Sequence, residues 1–290
     1  MTRATATPRL TIGVSLKMYF GHARTIAWAE GVAYIARSHP AVTDGCVELF
    51  VIPTFPSLVP VRAALTGSGV LLGAQDLAWA DEGAFTGEVS GCELAEIGVD
   101  LVEIAHAERR SLFHESDQDL AGKVHAAFRN HLRPLICVGE TARASPHELG
   151  RHTAPQAPQR AGTGSRGPSP AEIADAVTEV TAQLDRFVQT AVADGIAGPV
   201  IVAYEPVWAI GAPEPAPDDH IVAVLAGIEA HLETRPELAG SVVIYGGSAG
   251  PGLLTRGEGR IGGLFLGRFA HDPAAIRTIL DEAEQLGAVA

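Results

Sequence analysis

Apolar residues in this chain alternate between two patterns. Short continuous runs make up the first: LTIGVS (10–15), VELFVI (47–52), VLLGA (70–74), DLVEIA (100–105), PLICV (134–138), VIVAY (200–204), VVIYG (242–246) and GLFLG (263–267). They lack the in-out alternation of a half-solvated strand and suit strands covered on both faces, as in a parallel sheet. Most gaps between them hold segments whose apolar residues recur at helical spacing. These include ARTIAWAEGVAYIARS (23–38), AEIADAVTEVTAQLDRFVQTAV (171–192), DDHIVAVLAGIEAHLE (218–233) and DPAAIRTILDEAEQL (272–286).

Eight strand–helix units fill the chain, and their alternation predicts parallel strands joined by right-handed crossovers. Eight units in 290 residues fit a single α/β domain over 1–290, a closed (β/α)8 barrel, better than a doubly wound sheet. An open sheet of that kind would carry a glycine-rich dinucleotide fingerprint after its first strand, and GVSLKM is not one. One stretch breaks the pattern. Residues 141–170 have low complexity, no aromatic residue, four arginines (Arg143, Arg151, Arg160, Arg166) and one acid, Glu148. Such a segment buries no core and is read as a flexible insertion after the fifth strand, a tolerated loop rather than a working lid.

Composition narrows the partners. Hydrophobic residues are 47% and charged residues 19% of the chain, a globular balance. No apolar run is long enough to predict a transmembrane helix, and the polar start MTRATATPRL offers no secretory h-region. Cys46, Cys92 and Cys137 lack metal-type spacing and are read as reduced thiols of a cytoplasmic protein. A formal net charge of −13 argues against nucleic acid or an anionic membrane as partner. A small phosphorylated ligand stays open, because local backbone dipoles outweigh a distant net charge.

In a barrel, polar residues at the C-terminal ends of strands are the catalytic candidates. Those ends present Lys17, Gln75, His106 and Glu205, then glycine-rich turns at Gly246-Gly247-Ser248 and Gly267-Arg268. His106 and Glu205 suit proton transfer, Lys17 is a fixed cation, and bare N–H groups in glycine turns cradle phosphates. The set reads as proton abstraction beside a carbonyl on a small phosphorylated molecule. No cofactor and no metal are expected.

Those residues lie in KM (17–18), GAQD (73–76), GAFTGEVS (83–90), HAERR (106–110), ESD (115–117), ICVGE (136–140), AYEPVWAIG (203–211) and YGGS (245–248). In that order they resemble the triosephosphate isomerase family over nearly the whole chain, which implies a TIM barrel and enediol chemistry. By the resemblance Glu205 is the base, His106 a neutral imidazole that polarises the substrate carbonyl, and Lys17 the cation for the enediolate, with Glu108 as its ion-pair partner. Ser15 lies beside the substrate. The backbone of Gly211, Ser248, Gly267 and Arg268 would hold the phosphate, supported by Gly247. Thr86 would reach across the interface of a homodimer to support the partner's site.

The departures from the family are specific. Ser15-Leu16 stands for Asn-Trp, Ala105-His106-Ala107 for Gly-His-Ser, Asp76 for Asn, and Gly267-Arg268 for Gly-Gly. Beyond Gly211 the loop runs Ala212-Pro213-Glu214-Pro215 where the family hinge is more permissive. Ser15 and Ala107 free volume near the reacting end. This resembles the branch that interconverts L-erythrulose 1-phosphate and D-erythrulose 4-phosphate. Two alternatives stand beside it: a triosephosphate isomerase with an altered site, and a non-catalytic relative that binds a sugar phosphate. Arg268 would either contact the phosphate or turn outward to an acid.

Overall fold

A computed structural model of the protein describes residues 10–141, 168–211 and 215–289. The chain opens with β1 (Leu10–Ser15), α1 (His22–Ala36), α2 (Pro40–Thr43), β2 (Val47–Ile52), α3 (Leu58–Leu65) and β3 (Leu71–Ala74). It continues through α4 (Gly91–Glu96), β4 (Leu101–Ile104), α5 (Ala107–Leu112), α6 (Asp117–Arg129), β5 (Arg133–Val138) and α7 (Pro170–Ala193). It closes with β6 (Ile201–Tyr204), α8 (Asp218–Glu233), β7 (Val242–Tyr245), α9 (Leu253–Gly257), β8 (Gly263–Leu266) and α10 (Pro273–Val289). All strands pair in parallel in sequence order, and β8 returns to β1 with Thr11 opposite Gly263, so the sheet is a closed barrel.

Continuous apolar runs follow from two separate cores. Phe50, Ile52, Leu101, Leu135, Cys137, Ile201, Ala203, Ile244 and Phe265 fill the barrel interior, while Val14, Leu49, Val51 and Val202 pack outward under the helices. The interior is tight enough to require glycines. A Cβ at Gly13 would lie 1.9 Å from the Phe50 ring, and one at Gly263 would lie 1.9 Å from the Thr11 carbonyl oxygen. A bare strand position is what lets the Phe50 ring lie over the neighbouring strand.

The expected strands appear within about a residue at each end. α10 runs past its expected end at 286 to Val289. The expected insertion is shorter at its C-terminal side than 141–170. Ser169 caps α7 by accepting from the Glu172 N–H while Glu172 accepts from the Ser169 N–H, and Pro170 takes the first helical turn. The rest of that segment, 142–167, lies outside the described residues, as do 212–214 of the proline-rich hinge. Among the described residues no helix is long and apolar enough to cross a membrane. Cys46, Cys92 and Cys137 are all free thiols.

Candidate active site

Glu205 follows β6, where its N–H donates to the Val138 carbonyl at 2.8 Å and so continues the ladder one residue past the strand. The side chain is aimed by what surrounds it. A Cβ on Gly139 would come within 1.9 Å of the Glu205 carbonyl oxygen, and one on Gly246 within 2.4 Å of its Oε1. Two glycines are therefore needed to let this carboxylate into the barrel mouth. Only 6% of Glu205 is exposed. Its Oε2 lies 3.3 Å from His106 Nε2 but is not aligned for a hydrogen bond, leaving a buried oxygen with no such partner among the described residues. A buried carboxylate with an unused oxygen is a base held ready for a proton.

A buried polar cluster fixes the segment beyond it. Glu140 Oε1 accepts from the Trp208 indole at 2.9 Å and from the Tyr204 hydroxyl at 3.0 Å. His220 Nε2 lies 2.8 Å from the same hydroxyl. Burial, then the Glu140 charge, pushes the Tyr204 phenol far up, so it stays a donor. Glu205 is thereby gripped on both sides, by the ladder before it and by this cluster after it.

His106 caps α5, its Nδ1 accepting from the Glu108 N–H at 3.1 Å. That bond assigns the proton of a neutral imidazole to Nε2, which faces Glu205. Burial opposes the imidazolium, but the Glu205 carboxylate beside Nε2 outweighs it, so His106 titrates above its ordinary value. The pairing with Glu205 thus works against the neutral imidazole expected from sequence, and a ligand that parts His106 from Glu205 would relieve it.

Lys17 Nζ sits 3.1 Å from His106 Nε2 and 2.8 Å from Glu108 Oε1. Burial lowers the Lys17 pKa, yet the Glu108 bond and the charges of Glu205, Glu108 and Glu103 together raise it, so the ammonium stays charged. The backbone at Lys17 is left-handed (φ 46°), as it is at Ala105 (φ 66°) and Ser248 (φ 55°). Non-glycine residues in this region store strain of about 1–3 kcal/mol each, and such strain gathers at working sites. Gln75 offsets part of it at Lys17 by donating to the Lys17 carbonyl at 2.8 Å.

Lys17, His106 and Glu205 share a cavity of about 600 Å³ with Gly211, Ser248, Gly267 and Arg268. One end holds these three side chains and the other is a set of turns. Gly211 has φ 72° and Ser248 Oγ donates to the Ala209 carbonyl at 3.0 Å. Gly247 braces the turn from behind, where a Cβ would meet the Tyr245 hydroxyl at 2.6 Å. Arg268 is exposed at the cavity rim and makes no ion pair with an acid among the described residues. The outward pairing considered for it is not formed with any acid among the described residues.

Asp76 and Ser15, expected near the reacting end, stand apart from this cavity, as does Thr86, expected to serve a partner's site. Thr86 is exposed in the loop between β3 and α4. Asp76 is held in a buried charge cluster by Lys123 at 2.7 Å and Arg109 at 2.9 Å, so its departure from the family changes that cluster rather than the reacting end. Ser15 lies one level below the cavity, its hydroxyl donating to Glu103 Oε2 at 2.9 Å. Glu103 was not anticipated from sequence. The available signal was a carboxylate inside an otherwise apolar strand run, on the same strand face as Leu101.

The sequence profile described as Triosephosphate isomerase matches residues 10–158 and 169–283. An L-erythrulose-1-phosphate isomerase of Pectobacterium atrosepticum is 44% identical over 282 residues, 97% of this chain and 98% of that protein. A triosephosphate isomerase of Citrifermentans bemidjiense is 34% identical over 263 residues, 88% of this chain and 93% of that one. In fold, the crystal structure of triosephosphate isomerase from Bartonella henselae superposes with a TM-score of 0.72 at 24% identity, covering 95% of this chain and 99% of that one.

Proposed function

This chain belongs to the triosephosphate isomerase family, a sugar-phosphate isomerase by descent, and we propose that its substrate is the four-carbon L-erythrulose 1-phosphate, converted to D-erythrulose 4-phosphate. The reading is carried by the convergence of one carboxylate, one imidazole and one ammonium, from β6, β4 and β1, on a single cavity. The substrate is chosen from the small Ser15 and Ala107, which stand where the family carries Asn and Ser, together with relatives that carry that substrate in their names.

Glu205 removes the proton from C3. The C–H electron pair becomes the C2–C3 double bond of an enediolate, and the carbonyl electrons move to oxygen. His106 Nε2–H and the Lys17 ammonium donate to the oxygens where that charge develops. His106 gives its Nε2 proton to O2 and takes up the hydroxyl proton of O3, and Glu205 returns its proton to C2, leaving the carbonyl at C3, so no atom or electron is gained or lost. The phosphate rests against the turns at Gly211, Ser248, Gly267 and Arg268, whose guanidinium adds a charge-assisted contact. Two copies of the chain form the working unit, with Thr86 of each supporting the other's site. Three free thiols suit a reducing cytoplasm.

Initial rates on L-erythrulose 1-phosphate and dihydroxyacetone phosphate decide between four and three carbons. The four-carbon substrate should have the higher kcat/KM. Glu205→Gln should lower kcat on it by about 10²–10⁴-fold, the usual contribution of a positioned base. A triose kcat/KM near the diffusion ceiling of about 10⁸ M⁻¹ s⁻¹ would reassign the substrate to the triose.

A further inference from the structure

The barrel interior below the cavity is packed with apolar side chains, and Glu103 places a carboxyl among them. Its bond to Ser15 repeats, one level down, the geometry of the catalytic pair. Lys17 and His106 meet across the barrel mouth from the ends of β1 and β4 at 3.1 Å. Ser15, two residues before Lys17, and Glu103, three before His106, meet at 2.9 Å from the same two strands. β1 and β4 are not neighbours in the sheet, so this bond spans the interior.

A structural role accounts poorly for the pair. Placing a carboxyl in an apolar interior costs several kcal/mol unless its hydrogen-bonding capacity is filled. Among the described residues Glu103 accepts one bond, from Ser15, and Oε1 makes none. Leucine or valine would pack this position without that cost.

We propose that Ser15 and Glu103 together form a hydroxyl-recognising floor that receives the terminal hydroxymethyl group of the four-carbon substrate, Glu103 being a specificity-determining residue of the site. This rests on the four-carbon reading above. A hydroxyl needs one acceptor and one donor. The Ser15 oxygen, its own proton engaged with Glu103, presents lone pairs to the substrate O–H. Burial, reinforced by the neighbouring Glu205 charge, raises the Glu103 pKa against the pull of His106, Ser15 and Lys17. Oε1, which has no partner among the described residues, would supply the donor when it carries a proton. The hydroxymethyl group is what the four-carbon substrate has and a triose lacks, and it extends from the reacting carbons on the side away from the phosphate.

The test is steady-state kinetics of the full-length enzyme on L-erythrulose 1-phosphate, with inorganic phosphate as a competitive probe of the opposite end. Glu103→Leu and Ser15→Ala should each raise KM about tenfold, as one lost hydrogen bond does, with kcat lowered less than threefold. The Ki of inorganic phosphate should move less than twofold. Glu103→Gln, whose amide keeps both a donor and an acceptor, should bring KM back within threefold of the unsubstituted enzyme. An unchanged KM in Glu103→Leu, a loss confined to kcat, a parallel rise in phosphate Ki, or Glu103→Gln behaving like Glu103→Leu would each overturn the assignment. If the unsubstituted enzyme does not turn over L-erythrulose 1-phosphate, the substrate reading itself fails, an outcome separate from any effect of the variants.

Discussion

A glycine can matter to catalysis as much as the base it faces. Gly246 has no need of a left-handed backbone; its requirement is steric, because a Cβ would lie 2.4 Å from Glu205 Oε1 and 2.6 Å from its Cγ. Neither Cγ nor the carboxylate can retreat easily. The Glu205 backbone is fixed by its bond to Val138, and the cluster around Glu140 holds the residues beyond it. Gly246→Ala should therefore turn the carboxylate by about 1 Å, a displacement that costs on the order of 10²-fold in rate. Overpacking one methyl should cost about 1–3 kcal/mol of stability. Near-normal far-ultraviolet circular dichroism together with a large fall in kcat is the expected signature. Unchanged kcat would show that the Glu205 side chain has slack the packing does not reveal.

Among the elements, the charge cluster of α5, α6 and the loop after β3 is the place where one substitution should do most damage to the fold. Lys123 on α6 is 2% exposed and binds both Asp76 oxygens at 2.7 Å and Glu115 Oε1 at 2.6 Å. Arg109 from α5 shares the same two acids. Lys123→Met keeps the stem and removes the charge, leaving two buried carboxylates with one cation between them. Breaking a buried ion pair from one side costs about 3–5 kcal/mol, measurable as a shift in urea midpoint followed by tryptophan fluorescence. A shift below 1 kcal/mol would mean that water or Arg109 replaces the ammonium. The same region shows the limits of reading elements from sequence. Strands are legible because both faces are buried, so their runs are apolar and bounded by turns. α4 and α5, six residues each, are too short to show a helical period. Asp76 is visible as a departure, but its partner Lys123 lies 47 residues away, and no local pattern pairs them. Lys17, His106 and Glu205 are legible because barrel strands end where chemistry begins. Glu103 escapes because a single acid in an apolar strand is visible only to a reading that tracks which face each residue takes.

For the molecule as a whole, the exposed apolar side chains bear on the proposed dimer. Met18 is 90% exposed one residue after Lys17, and Tyr19, Phe85, Leu112 and Phe113 are also exposed. Thr86 adjoins Phe85 on a loop that does not line its own chain's cavity. If Thr86 serves a neighbouring copy, each site is built from two chains, and this can be tested without a structure of the complex. Lys17→Ala disables its own site but leaves its Thr86 loop intact. Thr86→Ala keeps its own Lys17, His106 and Glu205 but offers its neighbour a defective loop. Unfolding and refolding the two variants together should produce mixed dimers in which the Thr86→Ala chain receives an intact loop and regains activity. At equal input about half the dimers are mixed, so the mixture should exceed the mean of the separately refolded variants. An activity equal to that mean would place the effect of Thr86 within its own chain. Dilution should act in the same direction: an active unit of two chains loses specific activity as concentration falls below its dissociation constant, because its stability is inseparable from protomer concentration.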